Sequence, residues 1–182
     1  MTHGLSDPDV GALAGLSREL QGDYKTDVDP WTGSPFAWIK SQQSRRRGKI
    51  GEQLVSGLLA LRDFDVVRSP DSEADRVING MRVEIKFSTL WDSKIYKFQQ
   101  VRDQNYVVMF CLGVSPFNAH AWAVPKVALL EHAIGHLGQH GGAGGRDTAW
   151  LSFPPDNPYP WISPYGGRLR DAIQVLRRLV NA

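Results

Sequence analysis

The residues best placed to do chemistry are Asp75, Glu84 and Lys86, charged groups on segments whose other residues suit a folded core. They lie within ADRVINGMRVEIKFST, running from Ala74 to Thr89. Asn79-Gly80 is a two-residue turn signal, because both central positions of the tight hairpin turn take positive φ. That turn pairs Ile78 with Met81, Val77 with Arg82, Arg76 with Val83, and Asp75 with Glu84. Side chains alternate along a strand, so Ile78, Met81, Val83, Ile85 and Phe87 share one face. Asp75, Val77, Arg82, Glu84 and Lys86 share the other. Two carboxylates then oppose each other at about 5 Å between Cβ atoms, with an ammonium one pleat away. Directly opposed like charges destabilise a sheet unless something positive lies between them, and a divalent cation meets that need. The plain alternative is a solvated hairpin face with ordinary charge alternation.

Such a hairpin needs a scaffold. Ser44 to Phe64 is expected to be a helix, with Ile50, Leu54, Val55, Leu58, Leu59 and Leu61 as its apolar stripe. Glu52 falls at the edge of that stripe, and Gly51 inside it would let the helix approach a sheet closely. The basic run Arg45-Arg46-Arg47-Gly48-Lys49 is expected to sit just before the Glu52 helix. Asp65 to Arg68 is a short strand, and a short helix is expected over Lys97 to Gln104. YVVMFCLGV, Tyr106 to Val114, is an apolar run of buried-strand type, and AHAWAVPK adds another strand that Pro125 ends. This order implies an α/β fold: a mixed central β-sheet flanked by helices, with helical additions at both ends.

Residues 1–43 form an N-terminal arm, 44–127 the core and 128–182 a C-terminal extension. The arm carries a helix start at Asp7-Pro8, apolar positions Val10, Leu13, Leu16 and Leu20, and the aromatics Trp31, Phe36 and Trp38. The extension carries a helix to about Leu137, a glycine-rich loop, a proline-rich segment and a last helix with Leu169, Ile173, Leu176 and Val180 as its buried stripe. His132, His136 and His140 are spaced by four, but no third ligand type accompanies them and a structural role is expected.

The 182 residues suit one domain, and 42% hydrophobic with 22% charged content is that of a soluble globular protein. No stretch reaches transmembrane length, so no membrane partner is expected. One cysteine, Cys111, excludes an intramolecular disulfide framework and a cysteine zinc site, and a reducing cytoplasm is the expected location. A net charge of +2 gives no bulk signal for nucleic acid, so any basic surface must be local.

Glu52 on a helix, Asp75 on a strand and Glu84-Ile85-Lys86 on the next strand resemble the PD-(D/E)XK nuclease superfamily, over roughly Lys49 to Val124. The sequence departs from the pattern in having Ala74 before the first acid. A literal Pro70-Asp71 exists, but Asp71 and Glu73 lie outside the paired strands, so Asp75 is preferred as the first acid. The resemblance implies a restriction-endonuclease-like core and a single nuclease domain over 1–182.

It further implies Mg²⁺ as cofactor, with Mn²⁺ able to substitute, held by Asp75, Glu84 and the backbone carbonyl of Ile85. Glu52 would ligate a second metal or hold a metal-bound water, and Lys86 would orient the attacking water. Double-stranded DNA is the expected partner, gripped by Arg45, Arg46, Arg47 and Lys49, with Arg82, Gln99 and Gln100 near the same edge. A restriction or host-defence endonuclease acting as a homodimer is the expected reading. Residues 31–38 and 153–165 are the candidate interface stretches. The same core would serve a Holliday-junction resolvase or repair nuclease, or a non-catalytic DNA-binding or assembly module.

Overall fold

The computed structural model describes residues 8–23, 29–138 and 148–181. The chain divides into two compact units, Met1–Thr32 and Gly33–Ala182. In the first, α1 covers Pro8–Asp23. Val10, Leu13, Leu16 and Leu20 are all exposed on it.

The second unit runs in chain order as α2 (Ala37–Lys40), α3 (Ser44–Ala60), β1 (Val66–Arg68), β2 (Arg76–Ile78) and β3 (Met81–Thr89). Then come β4 (Tyr96–Arg102), β5 (Val108–Val114), β6 (Ala119–Pro125), α4 (Lys126–His132) and β7 (Thr148–Phe153). A short 3-10 turn, Ser163–Tyr165, leads into β8 (Gly166–Arg168) and α5 (Leu169–Val180). Six strands form one sheet in the order β1-β2-β3-β5-β6-β8, and β4 and β7 form a two-stranded sheet. Among the described residues only β3 and β5 pair in parallel, so the main sheet is mixed.

The hairpin forms as its turn chemistry dictates. Asn79 and Gly80 have φ of 48° and 82°, and Arg76, Val77 and Ile78 pair with Val83, Arg82 and Met81. The ladder stops there. The Asp75 N–H bonds to the Val83 carbonyl at 3.2 Å, one residue off the strict register, so Asp75 and Glu84 are not a ladder pair. β2 leaves the sheet at this point.

Paired residues share a face, which places two cores on the sheet. Met109, Cys111, Trp122 and Val124 pack with Tyr96, Phe98, Leu151, Phe153 and Leu129 on one side. On the other side lie the buried residues Val55 and Leu59 of α3, and Ile173 and Leu176 of α5. α3 packs on β3 and α5 on β6. The close approach at Gly51 is real: a methyl group there would collide with the Phe87 side chain.

Several expectations are corrected. The helix expected over Lys97 to Gln104 is β4, which pairs with β7. Tyr96, Phe98 and Val101 are buried, and a bulge between Phe98 and Val101 shifts the alternation by one residue. That shift hides the period of two. The step from β3 to parallel β5 therefore passes through a strand, not a helix. α4 ends at His132, before Gly135, whose φ of 83° cannot continue a helix. The aromatics of segment 153–165 pack on the core, with Phe153 and Ile162 buried and Tyr159 and Trp161 partly buried against it, while Asp156, Asn157, Pro160, Ser163 and Pro164 are exposed. Of the other stretch, Trp31 is buried, Phe36 half-buried and Trp38 exposed.

Candidate active site

β2 pairs with β3 only as far as Val83, so β3 from Glu84 onward has an unpaired edge on that side. The site is built at this edge. The Asp75 carboxylate closes part of it by accepting the Ile85 backbone N–H at 2.7 Å. Glu84 and Lys86 are one pleat apart on β3, and their side chains meet at 2.9 Å. Glu84 is nearly buried, with 8% of its surface exposed, and Lys86 lies above the buried Cys111 with which it pairs across to β5.

α3 brings the third carboxylate. Gly51 lets the helix settle against Phe87, and Glu52 lines the cleft with the acids, near enough to Asp75 to feel its charge. It is fixed by Arg76, a residue that sequence reasoning did not single out. Arg76 lies 3.5 Å from Glu52 through Nη1, donates from Nη1 to the Asp75 carbonyl at 2.7 Å and from Nε to the Ser56 hydroxyl at 2.9 Å. The signal was present: Arg76 shares the core-facing side of β2 with Ile78, where a charge needs a partner.

Electrostatics record the crowding. Burial raises the Glu84 carboxyl above its ordinary range, Lys86 pulls it down and Asp75 pushes it up again. Glu52 is raised by burial and then by Asp75, against the lowering pull of Arg76, Lys49 and Lys86. Three acids converge here, and burial keeps Glu84 and Glu52 raised despite the cations beside them.

Glu52, Asp75, Glu84 and Lys86 line a cleft of about 490 Å³ together with Arg45 and Arg47. On α3, Arg45, Gly48 and Glu52 fall on one helical face, being three and four residues apart. The first turn of α3 carries Arg45, Arg46 and Arg47 and no acid, the opposite of what the helix dipole favours. Helix stability is not what places those arginines.

No family model matches this chain, and no match is found among curated proteins. Among solved structures, a bacterial homing endonuclease, I-Ssp6803I, is similar with a TM-score of 0.49 and 11% identity, over 77% of this chain and 99% of that one. Function is read from the side chains of the cleft and not from this likeness.

The structure brings together Glu52, Asp75, Glu84, Ile85, Lys86, Arg45, Arg47, Gln99 and Gln100 as cleft-lining residues. Successive strand residues ordinarily point to opposite faces, but the β4 bulge, with φ of 54° at Gln100, lets both glutamines line it. Lys49 sits beside Glu52 without lining the cleft, and Arg46 is exposed off the lining. Arg82 is not in the lining either; it is engaged by the Asp71 carboxylate and donates to the Asn105 carbonyl. Asp71 and Glu73 are likewise occupied, Glu73 accepting the Asn105 N–H at 3.3 Å. Neither lines the cleft. Trp91 and Lys97, which sequence reasoning missed, do.

Among the described residues no group of three or more His, Cys, Asp or Glu side chains is arranged to enclose a metal ion. His132 stacks on Trp161 at 5.3 Å, His136 is exposed, and His140 lies outside the described residues. The donor set at β3 fits a different kind of metal. Two hard carboxylates, of which Glu84 is buried and raised, leave the remaining positions to water and substrate, as magnesium prefers.

Proposed function

We propose that this protein is a divalent-metal-dependent DNA endonuclease of the PD-(D/E)XK type. One observation carries the reading: Glu52, Asp75, Glu84 and Lys86 line one cleft together with Arg45 and Arg47 from the start of α3. Acids alone would repel a polyanion. A phosphodiester becomes tolerable beside them only with cations from the protein and from solution.

A cation held by Asp75 and Glu84, with the Ile85 carbonyl, would supply Lewis-acid polarisation of the scissile phosphate and neutralise charge on the leaving oxygen. Lys86 does the rest of the charge work. Its ammonium, already 2.9 Å from Glu84, orients the attacking water and donates to the phosphoryl oxygens as they gain charge. Glu52, steadied by Arg76, accepts a hydrogen bond from that water. Arg45 and Arg47 hold flanking phosphates, and Gln99 and Gln100 present amides to the same groove.

A restriction or host-defence role and a homodimer enter this proposal from the sequence resemblance alone. A palindromic duplex cut on both strands is matched by two-fold symmetry in the enzyme. Sedimentation that finds only monomers, with and without DNA, removes the dimer.

The deciding experiment is Mg²⁺-dependent nicking of supercoiled plasmid by the parent and by Glu84→Ala. The parent is expected to nick and the variant to be inactive while still binding DNA. Cleavage that survives Glu84→Ala would end the assignment, and binding without cleavage by the parent would favour the non-catalytic module.

A further inference from the structure

A large aromatic residue at the cleft stands outside the chemistry of the acids and arginines. Trp91 follows β3 in the turn to β4, and 41% of its surface is exposed. Tryptophan is usually well buried, because its ring carries a large apolar area. This ring instead lines the cleft, and Lys97 lines it beside the ring. The Lys97 ammonium stands 3.8 Å from the indole centroid. The exposed area is what remains with that ammonium in place.

The backbone that carries the ring is held in position. The Trp91 backbone N–H bonds to the Ile95 carbonyl at 2.9 Å, and the Lys94 backbone N–H returns to the Trp91 carbonyl at 2.8 Å. Asp92 pairs with Lys40 of α2 at 3.1 Å. On the β4 side, the Lys97 backbone N–H donates to the Ser88 hydroxyl at 2.9 Å. An indole on a held backbone has only two side-chain torsions to fix on meeting a flat ligand.

We propose that Trp91 and Lys97 form a stacking subsite for an unpaired nucleobase, so that the preferred substrate is duplex DNA carrying a base outside the stack. The inference rests on the endonuclease reading and names its substrate class. In a perfect duplex each base has both faces covered by its neighbours, leaving nothing for an indole on a cleft wall. A displaced base offers a free π-face to Trp91, and its phosphate lies within reach of the Lys97 cation. Trp91 is five positions beyond Lys86, an extended backbone span of at most about 17 Å. At about 3.4 Å per nucleotide the unpaired base lies within about five nucleotides of the scissile bond.

The test uses the full chain and labelled duplexes that are identical except for one bulged adenine, with affinity read by fluorescence anisotropy in EDTA, where binding is measured without cleavage. The parent is expected to favour the bulged duplex. Trp91→Ala should weaken that complex by about tenfold while changing perfect-duplex affinity by less than about twofold, which also shows that the variant is folded. Trp91→Phe should recover most of the loss. With Mg²⁺, cuts by the parent should map within about five nucleotides of the bulge. Equal losses on both duplexes, no loss on either, or a parent indifferent to the bulge would each overturn the subsite. A parent that selects the bulge but cuts neither duplex with Mg²⁺ would overturn the endonuclease reading and leave the subsite standing.

Discussion

The Asp75 carboxylate accepts the backbone N–H of Ile85 at 2.7 Å, tying the first acid to the strand that carries Glu84 and Lys86. The bond uses Oδ2 and leaves Oδ1 for a cation. Asp75→Asn preserves an oxygen for Ile85 but removes the charge. At a Mg²⁺ concentration ten times the Kd, the parent should gain about 1.4 kcal/mol, a rise of about 3–5 °C in thermal midpoint. Asp75→Asn should fold normally and show no such rise.

Lys86 and the α3 arginines should separate chemistry from binding. Lys86→Ala should slow single-turnover cleavage by about two to three orders of magnitude, as does loss of one preorganised donor. Duplex affinity should hardly change. Neutralising Arg45, Arg46 and Arg47 together should weaken binding and flatten its salt dependence, while cleavage at saturation is spared. If the Lys86→Ala protein cuts at the parental rate once bound, the hairpin has been misread.

Arg76 should act through Glu52. Arg76→Met frees Glu52 and leaves Ser56 and the Asp75 carbonyl without their donor, at a cost of about 1–3 kcal/mol in a denaturant titration. The turnover number should fall with KM nearly unchanged, because Arg76 positions a group and does not line the cleft. Arg76→Lys should restore little, since one ammonium cannot serve three acceptors in a planar fork.

Glu52 gives a stability prediction with a definite sign. Burial raises its carboxyl, so as the pH falls it takes up its proton earlier in the folded chain than in the unfolded one. The folded state then binds more protons across the window between the ordinary and the raised pKa, and stability falls as the pH rises through it. Glu52→Gln removes that loss. Its thermal midpoint at neutral pH should exceed the parent's, and the gap should close as the pH falls below the ordinary carboxylate range, where both states are protonated. A gap that persists at low pH would assign the gain to something other than charge.

Gly51→Ala tests the seating of α3. Alanine is the better helix former by about 1 kcal/mol, so an exposed glycine-to-alanine change would stabilise the protein. Here the new methyl meets Phe87, and a net loss of about 1–3 kcal/mol in urea is expected, with a drop in cleavage as Glu52 moves.

What the sequence determined by itself was local. Asn79-Gly80 sets the hairpin register because their backbone conformations leave few alternatives, and of the expected α3 stripe Val55 and Leu59 are buried while Leu61, beyond the helix end, is exposed. From the turn Asp75, Glu84 and Lys86 could be read as sharing a face, and Glu52 joined them only through the resemblance. Tertiary structure decided the rest, because each remaining feature depends on where a partner ends. β2 stops at Arg76, so Asp75 leaves the ladder and spends one oxygen on Ile85, where strict register would oppose it to Glu84. β4 required β7, a strand some fifty residues away in the chain, before its bulged pattern could be told from a helix. That same bulge turns Gln99 and Gln100 together to the cleft, and the packing of α3 on β3 makes a holder of Glu52 out of Arg76, which in sequence is only the residue after Asp75. Periodicity reports how a strand meets one partner; it carries no record of a residue inserted, or a ladder cut short, by a second.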